Sequence, residues 1–341
     1  MENYPIDFVI TWVDGSDPVW QAEKAKYKGT VGDARNSRYR DWDTLKYLFR
    51  GIESYASWVN RIFLVTCGHL PKWLNTSHSK LIHIKHEDYI PKEFLPTFSC
   101  RPIELNLHRI PGLSEHFVYF NDDMLLTNTV QKEDFFLKGL PCDTAVLRPA
   151  IVRISKSGNK VTNEEMYLTP VIDMALINKY FNKHEVIRKN FWKWYSPKYG
   201  KEVLKTLSLA VWDFFPGIRE YHCCYSYLKK TFVDLWKLEE DAFNVSCSHK
   251  FRVNTDYNQW VMSYWQIVTG NFSPRNPKFG TAFALNDDDS NNQKIYKTIR
   301  NSAFKTICIN DNVSDDNYEL IKRQFVQHME SKFPQKSSFE L

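Results

Sequence analysis

Two adjacent carboxylates stand at the end of an apolar run in the first half of the sequence. Phe117–Phe120 is followed directly by Asn121, Asp122 and Asp123. Paired carboxylates offer the hard oxygen ligands that Mg²⁺ and Mn²⁺ prefer, and such ions commonly also bind substrate phosphates. Taken alone, the segment is equally compatible with an exposed turn, because Asn and Asp are favoured turn residues. The pattern therefore predicts either a metal-diphosphate site or a solvated turn.

A second pair of carboxylates, Asp14 and Asp17, follows the apolar run near the amino terminus. Gly15 stands between them and lets the backbone approach a ligand closely. On its own this segment too could be an ordinary turn. The combination of the two acidic segments is what favours a functional site over two unrelated turns.

Histidine titrates near neutral pH, which makes it a candidate general base for a weakly acidic hydroxyl. His222 is the candidate in this sequence, but it is one of ten histidines. Residue type alone favours a hydrogen-bonded structural role for it. Catalysis by His222 is therefore not predicted from this residue in isolation.

The segments that carry these residues alternate between short strands and helices. Strand-forming runs and helical spacing of apolar residues place the elements along the first third of the chain. The predicted strands are Ile6–Val13, Arg61–Cys67, Lys80–His86 and Phe117–Phe120, and the predicted helices are Thr44–Tyr55 and Ile103–Arg109. This order predicts an α/β fold with a mostly parallel, Rossmann-like sheet flanked by helices. Ligands bind beyond the carboxyl ends of such strands, where both acidic segments stand.

Three parts of the chain are predicted. Residues 1–155 form the α/β core, residues 156–220 form a helical insertion, and residues 221–341 complete the site. In the third part we expect the strand Lys305–Ile309 to return to the main sheet, ahead of a closing helix at Asp315–Phe333.

The composition excludes several classes of protein. The 45 Lys+Arg against 40 Asp+Glu give a net charge of +5, which is too even for a nucleic-acid binder. No run approaches the roughly 18 apolar residues that cross a bilayer, and the amino terminus lacks signal-peptide features. The seven cysteines are scattered without a Cys-x-x-Cys pair, so reduced thiols are expected. We therefore expect a cytoplasmic protein.

A basic and aromatic stretch spans residues 188–205 within the predicted insertion. Phe191, Trp192, Trp194 and Tyr195 are interleaved with and flanked by lysines and Arg188. Such a surface suits stacking on sugars or resting on anionic lipid headgroups. A partly buried helical insert with a solvated basic edge is an equally good interpretation.

Four segments of the chain, in order, carry a longer pattern. They are Ile6–Pro18, Arg40–Asp123, a looser block from His222 through Leu228–Phe232 and Ser248–Arg252 to Asp256, and Cys308–Asn312 with the tail to Glu340. Together they resemble the motif blocks of the Stealth family of hexose-1-phosphate transferases. That family includes bacterial capsule and cell-wall polymer enzymes and the animal enzyme that makes the mannose-6-phosphate lysosomal tag.

The resemblance implies a GT-A-like form of the sheet, with the nucleotide-sugar bound by residues 1–155. It also implies a reaction in which an acceptor hydroxyl attacks the sugar-bearing phosphorus of a nucleotide-sugar and a nucleoside monophosphate leaves. A divalent ion, Mg²⁺ or Mn²⁺, would be held by Asp122, Asp123 and Asp311, and His222 would be the general base. Glycan acceptors of the bacterial enzymes are often lipid-linked, so peripheral membrane contact at the inner face of the plasma membrane is expected.

The remaining roles implied by the resemblance concern substrate phosphates and sugars. Arg252 and Arg109 would bind phosphate oxygens, because a guanidinium offers paired donors. The other substrate-binding side chains would be Asp14, Asp17, Asn121 and Asn310. One departure from the family pattern is that Cys223–Ser226 follow His222 where prolines are usual. This departure bears on the local backbone and on the choice of acceptor.

Two other functions are compatible with the sequence. A conventional metal-dependent glycosyltransferase would use the same sheet and the same acidic motif but would transfer the sugar without its phosphate. A non-catalytic glycan-binding module would account for the aromatic surface, although it would not require carboxylates at strand ends.

Overall fold

The computed structural model describes residues 4–33, 39–151 and 164–341. Its strands are β1 (Ile6–Thr11), β2 (Ile62–Thr66), β3 (Leu81–Lys85), β4 (His116–Asn121), β5 (Met124–Leu126), β6 (Phe136–Leu137), β7 (Leu140–Asp143), β8 (Tyr225–Leu228), β9 (Ser273–Pro274), β10 (Gly280–Leu285) and β11 (Thr306–Asp311). Its α-helices are α1 (Pro18–Lys26), α2 (Thr44–Tyr55), α3 (Cys100–Leu105), α4 (Lys132–Phe135), α5 (Glu164–Tyr180), α6 (Lys183–Lys189), α7 (Phe191–Trp194), α8 (Val203–Ser208), α9 (Lys229–Leu238), α10 (Glu240–Ser248), α11 (Trp260–Val268), α12 (Asp289–Arg300) and α13 (Tyr318–Lys332).

A five-stranded sheet in the order β3-β2-β1-β4-β8 forms the centre of the molecule. β1 pairs in parallel with β2 and β4, β2 pairs in parallel with β3, and β8 runs antiparallel to β4. The inner strands are buried on both faces, as Phe8, Val9 and Phe120 illustrate, which is typical of a parallel sheet. The predicted α/β fold with a mostly parallel, Rossmann-like sheet is confirmed.

Helix α2 has the bounds that its apolar spacing predicts. Leu45, Leu48, Phe49 and Ile52 are buried, and burial of each such side chain stabilises the fold by about 1.5–3 kcal/mol. Gly51 allows α2 to approach β5, since a Cβ at this position would lie 2.6 Å from a backbone oxygen of that strand. The helix therefore supports the short strand that follows the acidic turn after β4.

The structure corrects the predicted place of the carboxyl-terminal strand. β11 does not join the main sheet: it lies in a second sheet in the order β10-β11-β5. β5 begins directly after Asp123 and pairs antiparallel with β11, with Cys308 in register with Met124. The backbone N–H of Ile309 also donates to the carbonyl of Asp123 at 2.8 Å. The chain reverses at Asp122–Asp123, and the strand that follows, β5, provides the edge with which β11 pairs.

Two large groups of buried side chains form most of the interior of the described residues, and a third consists of Trp20, Phe98 and Phe251. The largest group runs from Ile6 to Phe339 and so joins the first and last parts of the chain. The second group includes Trp194, Tyr199 and Phe215 from the region of α5 to α8, packed against α11. Residues 152–163, where the predicted helical insertion begins, lie outside the described residues. The boundaries at 155/156 and 220/221 therefore stay predictions.

A helix that spans a bilayer needs about 20 mostly apolar residues. Within residues 4–33, 39–151 and 164–341, no helix is both long enough and apolar enough to cross a membrane.

Candidate active site

The carboxyl ends of β1 and β4 lie side by side at one edge of the main sheet, where Thr11 is in register with Asn121. Because these strands are parallel, the segments that follow them leave the sheet at the same edge. Asp14 follows β1, and Asp122 and Asp123 follow β4. The sheet thus brings the two predicted acidic segments to one edge.

Asp123 forms a compact group with His222 and Cys308. One ligand-type atom from each of these side chains lies within 4.8 Å of the others. Oδ1 of Asp123 is buried and has no hydrogen-bond partner among the described residues. Burial raises the pKa of the Asp123 carboxyl, and the charge of His222 partly counteracts this effect. A buried carboxylate oxygen without a partner is costly, so the group is suited to receive a cation or a hydrogen-bond donor.

Further carboxylates interact electrostatically with this group, from Asp122 through Asp41 to Asp14. Burial raises the pKa of Asp122 well above its ordinary value, and the charges of Asp123 and Asp41 raise it further. Burial likewise raises the pKa of Asp41, to which the charge of Asp14 contributes. A divalent cation would relieve the repulsion within this set.

His222 is fixed by an unusual backbone turn. Its φ is +46°, a region that residues other than glycine rarely adopt. Oε1 of Glu220 accepts hydrogen bonds from the backbone N–H groups of Tyr221 and His222, at 2.9 and 3.1 Å, and from the hydroxyl of Tyr225, at 2.7 Å. Trp260 donates to the same hydroxyl through Nε1 and meets the imidazole edge to face. These contacts hold the imidazole at the border of the acidic group.

Arg252 provides positive charge to the same region. The charge of its guanidinium lowers the pKa of both Asp122 and Asp123, although their burial outweighs it. Its carbonyl accepts from the backbone N–H of Asp33 at 2.9 Å, which ties the segment to the chain that follows α1. The structure thus brings Asp122, His222 and Arg252 near Asp123.

Asp14 and Asp17 are held by local hydrogen bonds. Burial opposes ionisation of Asp14, but hydrogen bonds from Ser16 outweigh it and lower the pKa of this carboxyl. Oδ1 of Asp17 accepts from the backbone N–H of Trp20 at 2.8 Å and so caps α1. His69 accepts from the backbone N–H of Asp14 at 2.7 Å, and its Nδ1 lies 4.0 Å from Asp17. These contacts fix the loop after β1.

β11 presents different side chains to its two faces. Successive residues of a strand alternate, so Cys308 and Asn310 share one face and Asp311 lies on the other. Cys308 contacts Oδ1 of Asn310 at 3.8 Å, whereas Asp311 pairs with Arg40 at 3.2 Å. The geometry therefore puts Cys308, rather than the predicted Asp311, in the group with Asp123.

Arg109 lies at the opposite end of β4. Its guanidinium is 5.0 Å from the ring of Trp236, and the preceding His108 stacks on Phe232. Phe232 in turn contacts Phe117 at the beginning of β4. Since a strand rises about 3.3 Å per residue, the acidic turn after β4 is roughly 20 Å further along. The structure does not bring Arg109 to the other predicted site residues.

Comparison with known proteins connects this geometry to a family. Three family models match: Stealth protein CR1, conserved region 1, over residues 4–32; Stealth protein CR2, conserved region 2, over 38–142; and Stealth protein CR4, conserved region 4, over 297–341. The capsular polysaccharide phosphotransferase WcwK of Streptococcus pneumoniae is 42% identical over 98% of this chain and 98% of that protein. The chain belongs to the Stealth family. The three matched Stealth regions contain both acidic segments and Cys308, while His222 and Arg252 lie between them.

Other Stealth relatives carry similar names. The receptor polysaccharide phosphotransferase WefC of Streptococcus oralis is 40% identical over 98% of this chain and 99% of that protein. The exopolysaccharide phosphotransferase cps2G of Lactiplantibacillus plantarum is 38% identical over 99% of this chain and 96% of that protein. A solved structure of the galactosyltransferase LgtC with donor and acceptor sugar analogues aligns with a TM-score of 0.41 at 10% identity, covering 97% of this chain and 98% of that one. A likeness this weak supports no conclusion about this chain.

The side chains at this Stealth site are chemically suited to a divalent cation. The buried, unpaired Oδ1 of Asp123 and the repulsion between Asp122 and Asp41 would both be relieved by such an ion. Carboxylate oxygens are hard ligands of the kind that both Mg²⁺ and Mn²⁺ accept.

Sequence reasoning did not single out Asp41, His69, Glu220 or Cys308 as site residues. Asp41 and Cys308 lie inside segments that were recognised, and the two-residue period of a strand could have selected Cys308 together with Asn310. His69 and Glu220 act through contacts with backbone N–H groups. Such contacts leave no pattern in the sequence.

Proposed function

We propose that this protein transfers a hexose 1-phosphate, or an N-acetylhexosamine 1-phosphate, from a UDP-linked sugar to a glycan hydroxyl in capsular or cell-wall polysaccharide synthesis. The product is a phosphodiester, and the nucleoside monophosphate is released. One observation carries this proposal: a histidine, a buried carboxylate and an arginine charge meet at the end of β4, in His222, Asp123 and Arg252.

The proposed reaction needs a base and a site for phosphate charge. His222 accepts the proton of the acceptor hydroxyl, whose oxygen then attacks the sugar-bearing phosphorus. The bond from that phosphorus to the bridging oxygen breaks, and the nucleoside monophosphate leaves with its electron pair. Arg252 neutralises charge on the phosphate oxygens, so that the displacement is chiefly a matter of positioning and electrostatics. The bond between the sugar and its own phosphate is never broken.

The proposed roles divide along the chain. Residues 1–155 bind the donor, with Asp14, Asp17 and Asn121 beside the nucleotide-sugar, and residues 221–341 complete the site with Asn310 nearby. Asp122 and Asp123, together with Asp41, would hold Mn²⁺ or Mg²⁺. When bound, the ion would supply Lewis-acid stabilisation of the diphosphate.

The test is identification of the released nucleotide. The protein is incubated with a UDP-sugar labelled in the phosphate next to the sugar, an oligosaccharide acceptor and Mn²⁺. We expect UMP in solution and the labelled phosphate in the glycan. UDP release with an unlabelled glycan would instead establish the conventional glycosyltransferase reaction. Sugar binding without release of either nucleotide would establish a non-catalytic glycan-binding module.

We further propose that the acceptor is lipid-linked and that the protein works in the cytoplasm at the membrane surface. Large apolar side chains with high exposure cluster between residues 191 and 214, including Trp192 at 81%, Leu204 at 66% and Val211 at 82%. Exposed cations, among them Lys189 and Lys205, accompany them. Exposed apolar groups next to cations favour an anionic lipid surface.

Co-sedimentation with vesicles tests the membrane contact. We expect binding to vesicles that contain an anionic phospholipid and weaker binding to vesicles of phosphatidylcholine alone. Replacement of Trp192 and Leu204 by Ser should reduce the bound fraction, whereas replacement of the exposed Leu320 on α13 should not. Equal sedimentation with both vesicle types would contradict this part of the proposal.

A further inference from the structure

A cavity of about 670 Å³ lies beside the turn that carries His222. Tyr221, which directly precedes the histidine, forms part of its wall. Its lining also includes Gly280 and Thr281 at the start of β10, and Phe304 just before β11. The cavity therefore adjoins the proposed base and the strand that carries Cys308, without including the acidic segment after β1.

The charged side chains that line this cavity are mostly cationic. The cavity is lined by four cationic side chains and one carboxylate: Lys198, Lys201, Arg219, Lys278 and Glu202. Glu202 is already paired with Arg219, so it does not neutralise the lysines. Lys198 is held in place because its Nζ donates to a backbone carbonyl at 3.0 Å, while Lys201 and Lys278 are exposed. This arrangement suits an anionic ligand.

The inner part of the wall offers groups that suit a sugar. The hydroxyl of Tyr221 is buried and has no hydrogen-bond partner among the described residues. The guanidinium of Arg219 lies 4.7 Å from the centre of the same ring, which fixes its plane. The aromatic face of Tyr221 is thus a fixed part of the cavity wall against which a sugar ring can pack.

We infer that this cavity binds the acceptor, and that the acceptor is an anionic glycan which already carries a phosphodiester. The inference rests on the proposed function, because each transfer adds one negative charge to the growing chain. An existing phosphodiester lies against Lys201 and Lys278, and the terminal sugar lies against Tyr221. The hydroxyl that reacts then points toward His222, the next residue of the chain.

Acceptor binding without donor tests the inference. Titration calorimetry would compare a synthetic oligosaccharide that contains one phosphodiester with its phosphate-free counterpart of the same sugars. We expect tighter binding of the phosphodiester form, with a preference that declines as salt is raised. The double variant Lys201→Gln/Lys278→Gln should bind it about five-fold more weakly, as expected for two exposed ion pairs. The control double variant Lys72→Gln/Lys237→Gln, at exposed lysines outside the cavity, should match the unmodified protein.

A second variant, Tyr221→Ala, removes the aromatic face and so separates sugar recognition from phosphate recognition. This variant should lower the affinity for both oligosaccharides by a similar factor and leave the affinity for the UDP-sugar unchanged. Equal affinity of the unmodified protein for the two oligosaccharides would overturn the inference, and so would competition by UMP for the oligosaccharide. Because no donor is present, these results are independent of whether UMP is released in the transfer assay.

Discussion

Single side chains determine the chemistry proposed for this site, and His222 is the first of them. Replacement by alanine removes the proton acceptor, so we expect turnover to fall by about 100-fold or more. Binding of the UDP-sugar should persist, because the acidic segments that face the donor are unchanged. Initial rates and donor titrations would be measured on the same preparation.

The matched control is His328→Ala on α13, where the ring stacks on Tyr296 of α12. Its turnover should match that of the unmodified protein. Asp123→Ala is the contrasting variant, since loss of this carboxylate should weaken metal-dependent donor binding itself. Full turnover in His222→Ala would remove the histidine from the mechanism.

Glu220 acts on the site through the backbone. Its Oε1 accepts from Tyr221, His222 and Tyr225, and burial together with the charge of Asp143 raises its pKa to about 7. We expect Glu220→Ala to reduce kcat while KM for the donor changes little, because the left-handed turn at His222 loses its support.

The isosteric variant tests this positioning role. Glu220→Gln keeps an oxygen that can accept the same three hydrogen bonds, so kcat should return to within a few-fold of the unmodified value. A Gln variant as slow as the Ala variant would show that the carboxylate charge, rather than the turn, is what matters.

At the scale of elements, α2 is tied to the carboxyl-terminal segment by a buried ion pair. Arg50 donates from Nε and Nη2 to both oxygens of Glu340, at 2.7 and 2.8 Å, and also pairs with Glu330 on α13. The side chains of Arg50 and Glu340 are only 5% and 3% exposed. Arg50→Met would leave a buried carboxylate without its partner, so we expect a loss of about 3–5 kcal/mol in the free energy of unfolding.

Urea denaturation of the single and double variants would measure this contribution. Arg50→Met/Glu340→Leu removes both charges and should regain much of the stability lost in the single variant. A single variant that loses less than about 1 kcal/mol would mean that water reaches the carboxylate.

At the scale of the whole molecule, partly buried histidines limit stability in acid. Burial, followed by the charge of Arg109, lowers the pKa of His108 to about 3, and burial lowers that of His86 to about 4. Each folded-state pKa is below the unfolded value of about 6.5, so the unfolded chain binds protons first as pH falls. Their stabilising effect is complete above about pH 6.5 and is lost progressively toward pH 3–4.

His108→Phe tests the acid effect, because the ring keeps its packing against Phe232 and Trp236 but does not titrate. Between pH 7.5 and pH 5 the variant should lose about 2 kcal/mol less free energy of unfolding than the unmodified protein. The exposed His184→Gln serves as control and should follow the unmodified curve. Parallel curves for His108→Phe would show that folding does not lower the pKa of this histidine.

Local sequence was sufficient for the elements that deliver the acidic residues. The period of apolar side chains predicts α2 with its observed bounds and β4 to within one residue at each end. Asp122 and Asp123 could be placed at a strand end for the same reason, since strands and turns depend on neighbouring residues. The ordered motif blocks predicted the family, which the relatives confirm.

Only the tertiary structure decided which distant side chains meet there. Cys308, rather than Asp311, lies beside Asp123 because β11 pairs with β5 in a second sheet. On this strand Cys308 and Asp311 point to opposite faces. Arg109 lies far from the site because the segment before β4 packs at the other end of that strand. Sheet order and strand face depend on pairings between residues that can be more than 100 positions apart. Backbone contacts such as that of Glu220 depend on single hydrogen bonds. Neither produces a periodic pattern in the sequence.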